Sequence, residues 1–499
     1  MAHALIRVRD ALCRLSAKHT LRVSHLDIVA GQHLCLFGGN GAGKSTLLRL
    51  VLGTLPSGRA HVQYCAGFDP NSDCIVVSFE QQQALWALDN RRDISEYSED
   101  ARDQGTTVAA WILGSVQADA RYESILVSLG LEELENRGMR YLSSGQCRKA
   151  MLARALFQRP RLLILDDPLG SIDRAAQAQI SAALRRWMTP ESSTLLLCRR
   201  AVDILPGISH LALLDNMTLL AQGELGAMRE DARFHALAQR PVVLPKTLPA
   251  PVASRRSPAL VPGQSLIELH EVFAAYHGKC VLENLTWTMR YGQHTLIEGP
   301  NGCGKSTLLS LIDGENHMAY GQEVYLFGRR RGSGETIWDV KAHFGVVSNE
   351  MHNRYVKGWR VLEVVISGFF DSVGLYDDSG ASEHDCAMAW LKALNIEALA
   401  KEYYDSISFG EQRLVLLARA MLKHPNILIL DEPCVGLDDP HREIILAMAD
   451  LIAATTSTHI LYVSHTQGER PRCINQRIGF SDAGIAISPL GKELGGQVD

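Results

Sequence analysis

The chain has 499 residues, of which 46% are hydrophobic, and this content is sufficient for two sizeable buried cores. Its formal net charge of −5 gives no general attraction to nucleic acid, so we expect no direct nucleic-acid partner. It contains no run of about eighteen apolar residues, and the charged N-terminal residues do not fit a signal peptide. Eleven cysteines without CxxC pairs favour a reducing cytosol over a disulfide framework or a metal cluster.

The first predicted element is a phosphate-binding loop, GGNGAGKS at residues 38–45, which follows an apolar run at residues 33–37. Glycines let several backbone N–H groups approach phosphate oxygens, the lysine neutralises the outer phosphates, and the next hydroxyl can bind Mg²⁺. Ser45 is therefore a predicted Mg²⁺ ligand. The residues predicted to bind nucleotide here are Gly38, Gly39, Asn40, Gly41, Ala42, Gly43, Lys44, Ser45 and Thr46.

A mostly polar stretch at residues 95–140 follows, and we predict a helical subdomain there. It leads to the motif LSSGQ at residues 142–146, which is followed by a helix-like run. Next comes an apolar run at residues 162–165, typical of a buried parallel strand, which ends in the carboxylates of Asp166 and Asp167.

Six prolines between residues 240 and 263 prevent a helix or strand from continuing, so we predict an extended linker over 240–263. The predicted domains are then 1–239 and 264–499. Such a tether keeps the two domains at high effective concentration, which favours their pairing within one chain.

The second half repeats each element of the first. GPNGCGKS at residues 299–306 matches the first loop, ISFGE at 407–411 matches LSSGQ, and ILIL at 427–430 precedes Asp431 and Glu432. Lys305 lies 261 residues after Lys44, and Asp431 lies 265 residues after Asp166. The residues predicted to bind nucleotide are Gly299, Pro300, Asn301, Gly302, Cys303, Gly304, Lys305, Ser306 and Thr307, with Ser306 as a Mg²⁺ ligand.

The order of these elements resembles that of an ATP-binding cassette, and the chain looks like a tandem of two cassettes. The segment LFGRRRGSGETIWD at residues 326–339 also resembles the ModF family, tandem ATP-binding proteins associated with molybdate transport. The resemblance implies an α/β fold with two P-loop cassette domains, each having a parallel-sheet core, an antiparallel subdomain and a helical subdomain. It also implies an ATPase that uses ATP and Mg²⁺.

In the cassette family two cassettes pair head to tail, with ATP between the P-loop of one and the signature motif of the other. The resemblance therefore implies that Lys305, Asp431 and Glu432 face the LSSGQ motif, which would contribute Ser143, Ser144, Gly145 and Gln146. Lys44, Asp166 and Asp167 would face the other motif, which would contribute Ser408 and Gly410. The pairing is expected to be intramolecular.

The resemblance implies a hydrolytic site on the second P-loop. Glu432 would orient and polarise the attacking water, with His465 and Lys305 at the γ-phosphate. Asp431 would hold Mg²⁺ through a water molecule, and Asp166 would do so in the other site. Tyr276 lies where the family stacks an aromatic ring on adenine.

The site on the first P-loop departs from the family pattern, so we expect it to bind ATP with slow or no hydrolysis. Asp167 replaces the glutamate, Arg200 lies where a histidine is expected at a spacing of 265, and Leu15 replaces the stacking aromatic. The motif predicted to face it carries Phe409 and the carboxylate of Glu411. The alternative is neutral drift, in which Asp167 still polarises water and both sites turn over.

Two hypotheses for the function stay open. The first is a cytoplasmic ATPase, peripheral on the inner membrane, that energises or regulates a transporter connected with molybdate through an integral-membrane permease. The second is a tandem cassette that acts on a non-membrane partner in translation or nucleic-acid handling. The glutamine that the cassette family has after its Q-loop strand is Asn349 in the second half and Glu80 or Gln81 in the first, which weakens the case for coupling to a permease.

Overall fold

The structure is a computed structural model that describes residues 3–15, 19–55, 61–79, 81–82, 85, 105–170, 172–239, 243–252, 257, 259–276, 279–355, 358–374, 379–465, 469–481 and 484–490. The chain divides into two compact units, Met1–Arg240 and Pro241–Asp499. The predicted linker, 240–263, falls almost entirely within the second unit. Residues 95–104 of the predicted helical subdomain, and Glu80, lie outside the described part.

The described part of the first unit contains a nine-stranded sheet in the order β4-β1-β2-β9-β8-β3-β7-β6-β5. Its strands are β1 (Ala4–Arg14), β2 (Thr20–Val29), β3 (His33–Phe37), β4 (His61–Tyr64), β5 (Cys74–Val77), β6 (Leu162–Asp166), β7 (Thr194–Cys198), β8 (His210–Asp215) and β9 (Thr218–Glu224). Strands β3, β5, β6 and β7 pair in parallel, whereas β1 pairs antiparallel with β2 and β4.

In the described part of the first unit, helices with defined bounds begin at the P-loop and continue to the C-terminal part of the unit. They are α1 (Lys44–Val51), α2 (Pro70–Asp73), α3 (Val108–Leu113), α4 (Ala120–Leu129), α5 (Ser144–Gln158), α6 (Arg174–Trp187), α7 (Leu225–Arg229) and α8 (Ala232–Ala238). Alternate residues of β3 belong to two different apolar clusters, with Cys35 and Phe37 in one and Leu34 and Leu36 in the other. The core sheet is therefore buried on both faces, which explains its continuous apolar runs.

The described part of the second unit has a four-stranded antiparallel sheet, β11-β10-β13-β14, and a six-stranded sheet, β15-β16-β17-β12-β18-β19. The strands are β10 (Ser265–Tyr276), β11 (Lys279–Arg290), β12 (Thr295–Glu298), β13 (Glu323–Leu326), β14 (Arg329–Arg330), β15 (Phe344–Val347), β16 (Ile427–Asp431), β17 (His459–Ser464), β18 (Gln476–Ser481) and β19 (Gly484–Pro489). Strands β15, β16, β17, β12 and β18 are parallel.

In the described part of the second unit, one helix again begins at the P-loop lysine and another lies at the signature motif, with further helices between and after them. These helices are α9 (Lys305–Asp313), α10 (Ile337–Lys341), α11 (Asn349–Arg354), α12 (Val361–Ile366), α13 (Ala381–Ala393), α14 (Phe409–Met421) and α15 (Asp439–Thr455). Each unit thus has a parallel core, antiparallel strands and a group of helices, and the predicted α/β fold class is confirmed. The carboxyl ends of the central parallel strands meet at one edge of each sheet, the usual place for a ligand site in such folds.

Candidate functional site

The two P-loops connect the central strand of each core sheet to a helix that begins at the lysine. Lys44 Nζ donates to the carbonyl oxygens of Gly38 and Gly39 at 2.6 and 2.8 Å. Lys305 Nζ makes the equivalent bonds to Gly299 and Pro300 at 2.8 and 2.9 Å. Each lysine ammonium is therefore held over its own loop, beside the backbone N–H groups of the helix start.

Glycines at the helix starts adopt backbone conformations that other residues disfavour. Gly43 has φ 102° and Gly304 has φ 107°, immediately before α1 and α9. A Cβ atom on Gly304 would also lie 2.8 Å from a methyl carbon of Val281. The glycine spacing seen in the sequence is thus a requirement of the fold as well as of phosphate approach.

In the second unit, the predicted Mg²⁺ ligands Ser306 and Asp431 line one cavity of about 120 Å³, together with Ser348. Hydroxyl and carboxylate oxygens are the donors that Mg²⁺ prefers, so the residues present fit this ion. Burial and the neighbouring charge of Glu432 raise the pKa of Asp431 to about 6. In the first unit Ser45 lies at the start of α1 and Asp166 at the end of β6, the same positions in the fold.

We expect Asp431→Asn to stabilise the nucleotide-free protein at pH 8, because it removes a buried charge. An unfolded aspartate titrates near pH 4, so an upward pKa shift to about 6 destabilises the folded state by about 3 kcal/mol above pH 6. As the pH falls from 6 to 4 the folded carboxyl takes up its proton, and the gain from asparagine disappears. Denaturant unfolding at several pH values measures this, with exposed Asp405→Asn as the control. A pH-independent gain would contradict the interpretation.

The carboxylate of Glu432 is bonded to His465 in the second unit. His465 Nδ1 lies 3.0 Å from Glu432 Oε1, and the histidine side chain is 5% exposed. Burial opposes ionisation of Glu432, but His465, Lys305 and Arg413 outweigh it and lower the pKa of this carboxyl. Glu432 is therefore an ionised acceptor, oriented by the imidazole, at the end of β16.

In the first unit, Asp167 forms an ion pair with Arg199. Asp167 and Glu432 share a left-handed backbone, with φ 48° and 47°, so they are equivalent in conformation as well as in sequence order. Burial acts to lower the pKa of Arg199, but the charges of Asp167 and Asp166 outweigh burial, so this pKa is raised overall. A permanent guanidinium thus occupies the place that an imidazole has in the second unit.

This pairing corrects the sequence prediction for Arg200. Strand register aligns Asp166 with Leu197 and Asp431 with Val463, so the residue equivalent to His465 is Arg199, at a spacing of 266. The stretch from Asp431 to its register partner Val463 is one residue longer than the stretch from Asp166 to Leu197, so the constant spacing of 265 was wrong there. Arg200 instead lies 3.7 Å from Asp203.

We expect Arg199→Ala to destabilise the first unit by about 1–3 kcal/mol, because it leaves two adjacent carboxylates without their half-buried partner. Arg200→Ala, whose partner Asp203 lies at the longer distance of 3.7 Å, is expected to change the unfolding free energy by less than about 1 kcal/mol. Thermal unfolding of both variants measures the difference. Equal destabilisation would contradict the assignment of Arg199.

The signature motifs begin helices α5 and α14 with capping boxes. In the first unit Ser143 N donates to Gln146 Oε1 at 3.0 Å, and Gln146 N donates to Ser143 Oγ at 3.3 Å. Ser408 and Glu411 make the same exchange at 2.8 and 3.4 Å. Both serine hydroxyls accept a bond in the capping box and keep their own hydrogen for another acceptor. The negatively charged carboxylate of Glu411 is bonded within its own helix start.

The two signature glycines have different steric surroundings. A Cβ on Gly410 would lie 2.5 Å from the ring of His441, so only glycine fits there. A Cβ on Gly145 would lie 3.5 Å from Ala176, which is an ordinary contact. Phe409 contacts His352, with ring centroids 5.0 Å apart, so it packs within its own unit.

Buried arginines on the signature helices are residues that the sequence interpretation missed. Arg148 Nη1 donates to the carbonyl of Asp167 at 2.9 Å, and its Nε donates to Gln82 at 3.3 Å. Arg413 bonds the Asn349 side chain and the carbonyl of Ser348. The sequence did contain a signal for them. Each arginine lies four residues after the first residue of its signature helix, and the two are 265 residues apart, as the strand-end aspartates are.

These contacts also change the interpretation of the loop after β5. Register aligns Val77 with Val347, so Phe79 is the positional equivalent of Asn349, instead of Glu80 or Gln81. The amide that reaches the buried arginine in the first unit comes from Gln82. An amide–arginine bond is therefore kept in both units, with its amide supplied from different positions.

Leu15 lies at the tip of the first hairpin of the first unit, and Tyr276 lies at the tip of the first hairpin of the second unit. Leu15 N donates to the carbonyl of His19 at 2.9 Å, and the Leu15 side chain is 40% exposed. Tyr276 is the last residue of β10, and its side chain lies outside the described part. Both positions are at equivalent hairpin tips, where the adenine contact was predicted.

The segment on which the ModF resemblance rests forms a compact turn. Arg331 is 3% exposed, and its Nη1 donates to Glu335 at 2.7 Å, while the backbone N–H groups of Gly332 and Ser333 also bond that carboxylate. Arg329 and Arg330 are exposed in β14. Of the three arginines, one is thus structural and two are on the surface.

Among the described residues, no helix is both long and apolar enough to cross a membrane, and no group of metal-ligating side chains forms a metal cluster. All eleven cysteines are free thiols.

Comparison with known proteins agrees with this geometry. The ABC transporter family model matches residues 21–170 and 282–435. The chain is 36% identical to the ABC transporter ATP-binding protein ModF of Escherichia coli, over 96% of this chain and 98% of that protein. It is 25% identical to an uncharacterized ABC transporter ATP-binding protein of Schizosaccharomyces pombe, over 92% of this chain and 94% of that one.

Solved structures show the same fold at low sequence identity. A model of ribosome-bound archaeal Pelota and ABCE1 matches with a TM-score of 0.59 and 18% identity, covering 97% of this chain and 79% of that chain. An RNase-L inhibitor matches with a TM-score of 0.57 and 17% identity, covering 97% and 90%. The predicted ATPase activity is confirmed by the two cassette regions: the chain is a tandem ATP-binding protein that resembles ModF and belongs to the ABC transporter family.

Proposed function

We propose that this ATPase hydrolyses ATP chiefly at a site built on the second P-loop and completed by the LSSGQ motif at residues 142–146. The observation that carries the proposal is the contrast between the Glu432–His465 hydrogen bond and the Asp167–Arg199 ion pair. A carboxylate with an imidazole partner keeps lone pairs for water. A carboxylate neutralised by a guanidinium is a weaker base.

At the proposed hydrolytic site, Glu432 accepts a hydrogen bond from the attacking water and orients it toward the γ-phosphate. His465 holds this carboxylate in place through Nδ1, and its other ring nitrogen is left for the γ-phosphate. Lys305 and the P-loop N–H groups bind the phosphates. Ser306, and Asp431 through a water molecule, would hold Mg²⁺, which would supply positive charge against the phosphates.

The first P-loop is proposed to bind ATP and to release it slowly without efficient hydrolysis. Asp167 is one methylene shorter than glutamate and is held by Arg199, so it reaches less far toward a water molecule. The facing motif carries Glu411, whose negative charge opposes that of the triphosphate. A bound, unhydrolysed nucleotide at this site would keep the two cassettes together while the other site turns over.

The cellular role that we propose is to energise or regulate molybdate transport from the cytoplasmic face of the inner membrane, through an integral-membrane permease. The support is the resemblance to ModF over nearly the whole length of both chains. The ribosome-bound structural relatives share the fold only at 18% identity, so they carry no argument about the partner.

Purification of Glu432→Gln in ATP, from membranes and cytosol in parallel, tests this role. The variant is expected to hold ATP, since it binds Mg²⁺ and phosphate but lacks the base, and to copurify with a permease identified by mass spectrometry. Lys305→Ala is the matched control, which loses the nucleotide and the partner. Recovery with ribosomal or nucleic-acid-handling proteins, or with no membrane protein, would contradict the transport role.

A further inference from the structure

A cavity of about 500 Å³ lies in the first unit, where α4 meets the ends of α5 and α6. Arg121, Arg159 and Arg186 line it, and its apolar side includes Ile125 and Trp187. We call it the basic cavity. Its described lining includes no residue of the P-loop, the signature motif or the strand-end carboxylates, so ATP binding does not account for it.

Most of the positive charge in the basic cavity is not neutralised. Within the part of the chain that the structure describes, Arg159 and Arg186 form no ion pair, and both are exposed. Arg121 lies 3.6 Å from Asp119. The carboxylate among the described lining residues is that of Glu191, which is exposed. The cavity therefore carries an excess of cationic side chains over carboxylates.

Two N–H groups of lining residues lie behind the surface of the cavity. Trp187 Nε1 and Arg121 Nε are both shielded from solvent, and neither has a hydrogen-bond partner among the described residues. Because these atoms are shielded from solvent, they do not face the open volume of the cavity, and the guanidinium groups of the arginines are the groups that would bind an anion there. The chemistry of the lining is that of a site for a carboxylate next to an apolar group.

The second unit shows what occupies the equivalent surface. Arg159 directly follows α5 and His424 lies three residues after the end of α14, but both have positive φ, at 51° and 48°, and they are 265 residues apart, so they are equivalent. Trp390 is fully buried, and its ring centroid is 6.0 Å from that of His424. Leu131 and Ile396 each donate from the backbone N–H to the carbonyl five residues earlier, so they are equivalent positions. Ile125, six residues before Leu131, therefore takes the position of Trp390. A smaller side chain thus leaves room in the first unit.

The chain's own residues 243–252 also cover this surface in the second unit. Cys386, the counterpart of Arg121, donates from Sγ to the carbonyl of Ala250 at 3.7 Å. Leu244, Leu248 and Val252 pack against the apolar cluster that contains Cys386. This surface of a cassette therefore accommodates an extended, proline-rich segment with spaced apolar side chains.

We propose that the basic cavity is a docking site for an extended segment of a partner protein, in which leucine-like side chains are spaced by carboxylates. The apolar part of the cavity would take the leucine-like groups, as the second unit does with its own segment. The three arginines would pair with the carboxylates, which the segment 243–252 lacks. A small oxyanion would leave most of the volume and the apolar side unfilled.

The probe is a synthetic peptide with the sequence of residues 243–252 carrying Lys246→Glu and Ala250→Glu. The readout is the indole N–H resonance of Trp187 in the full-length deuterated protein, assigned with Trp187→Phe. We expect a saturable shift that weakens as salt rises. Arg159→Glu combined with Arg186→Glu is expected to weaken binding by about tenfold or more.

Arg185→Glu is the matched control, since Arg185 is exposed on the same helix turn but does not line the cavity. It is expected to bind the peptide as the wild-type protein does, and ATP turnover should be unchanged in all these variants. The absence of a Trp187 shift, or equal binding of the unmodified peptide with Lys246, would overturn the proposal. A shift produced by inorganic phosphate or ATP in place of the peptide would overturn it as well.

Discussion

Glu432→Gln is expected to lower the steady-state ATPase rate by about 10²–10⁴-fold, the usual contribution of a positioned general base. The amide keeps the size of the side chain and can still bond His465, so the loop after β16 should fold normally. What it loses is the negative charge that polarises the attacking water. ATP binding should persist, and the bound nucleotide should be recovered as ATP instead of ADP. Phosphate release and the composition of the bound nucleotide measure both effects.

Asp167→Asn is the matched variant, because it makes the same change at the equivalent strand end of the first unit. We expect it to alter turnover by no more than about twofold, since Asp167 is already held by Arg199. Thermal unfolding should accompany the assay, so that loss of the ion pair is not mistaken for loss of catalysis. Equal losses of activity in the two variants would refute the asymmetric model.

Much of the fold and of the site could be predicted from the sequence because its elements are local. The glycine spacing of the P-loops, the apolar runs of β6 and β16, and the signature motifs each fit within a few residues, and two copies strengthen each assignment. The elements that are proposed to position phosphate and Mg²⁺ are therefore readable without a structure. The parallel-sheet core of each unit followed from the family resemblance.

The contacts that depend on loop length and register were not readable in this way. One additional residue before β17 moved the histidine equivalent from Arg200 to Arg199, and a constant spacing could not reveal this. The bond from Gln82 to Arg148 joins residues 66 apart in sequence. The capping box of Glu411 is an exception, because the pattern Ser-x-x-Glu predicts it from local sequence.

Gly145→Asp in the first unit is expected to abolish turnover at the P-loop of the second unit, with a loss of about 10²-fold or more. The backbone N–H of this glycine is proposed to face the γ-phosphate, and a carboxylate beside it would repel the triphosphate. The fold itself should tolerate the change, since a Cβ here meets Ala176 at an ordinary 3.5 Å. ATPase rate, ATP affinity and thermal unfolding of the intact chain measure these effects together.

Gly145→Ala is the control, because it adds the same Cβ without charge and is expected to keep the unfolding temperature. The equivalent change at Gly410 offers no clean comparison, since a Cβ there would collide with His441 at 2.5 Å and disturb the second unit itself. If Gly145→Asp folds normally and retains wild-type turnover, then the LSSGQ motif does not complete the site of Glu432. In that case head-to-tail pairing of the two cassettes, on which the unequal-site proposal depends, would have to be abandoned.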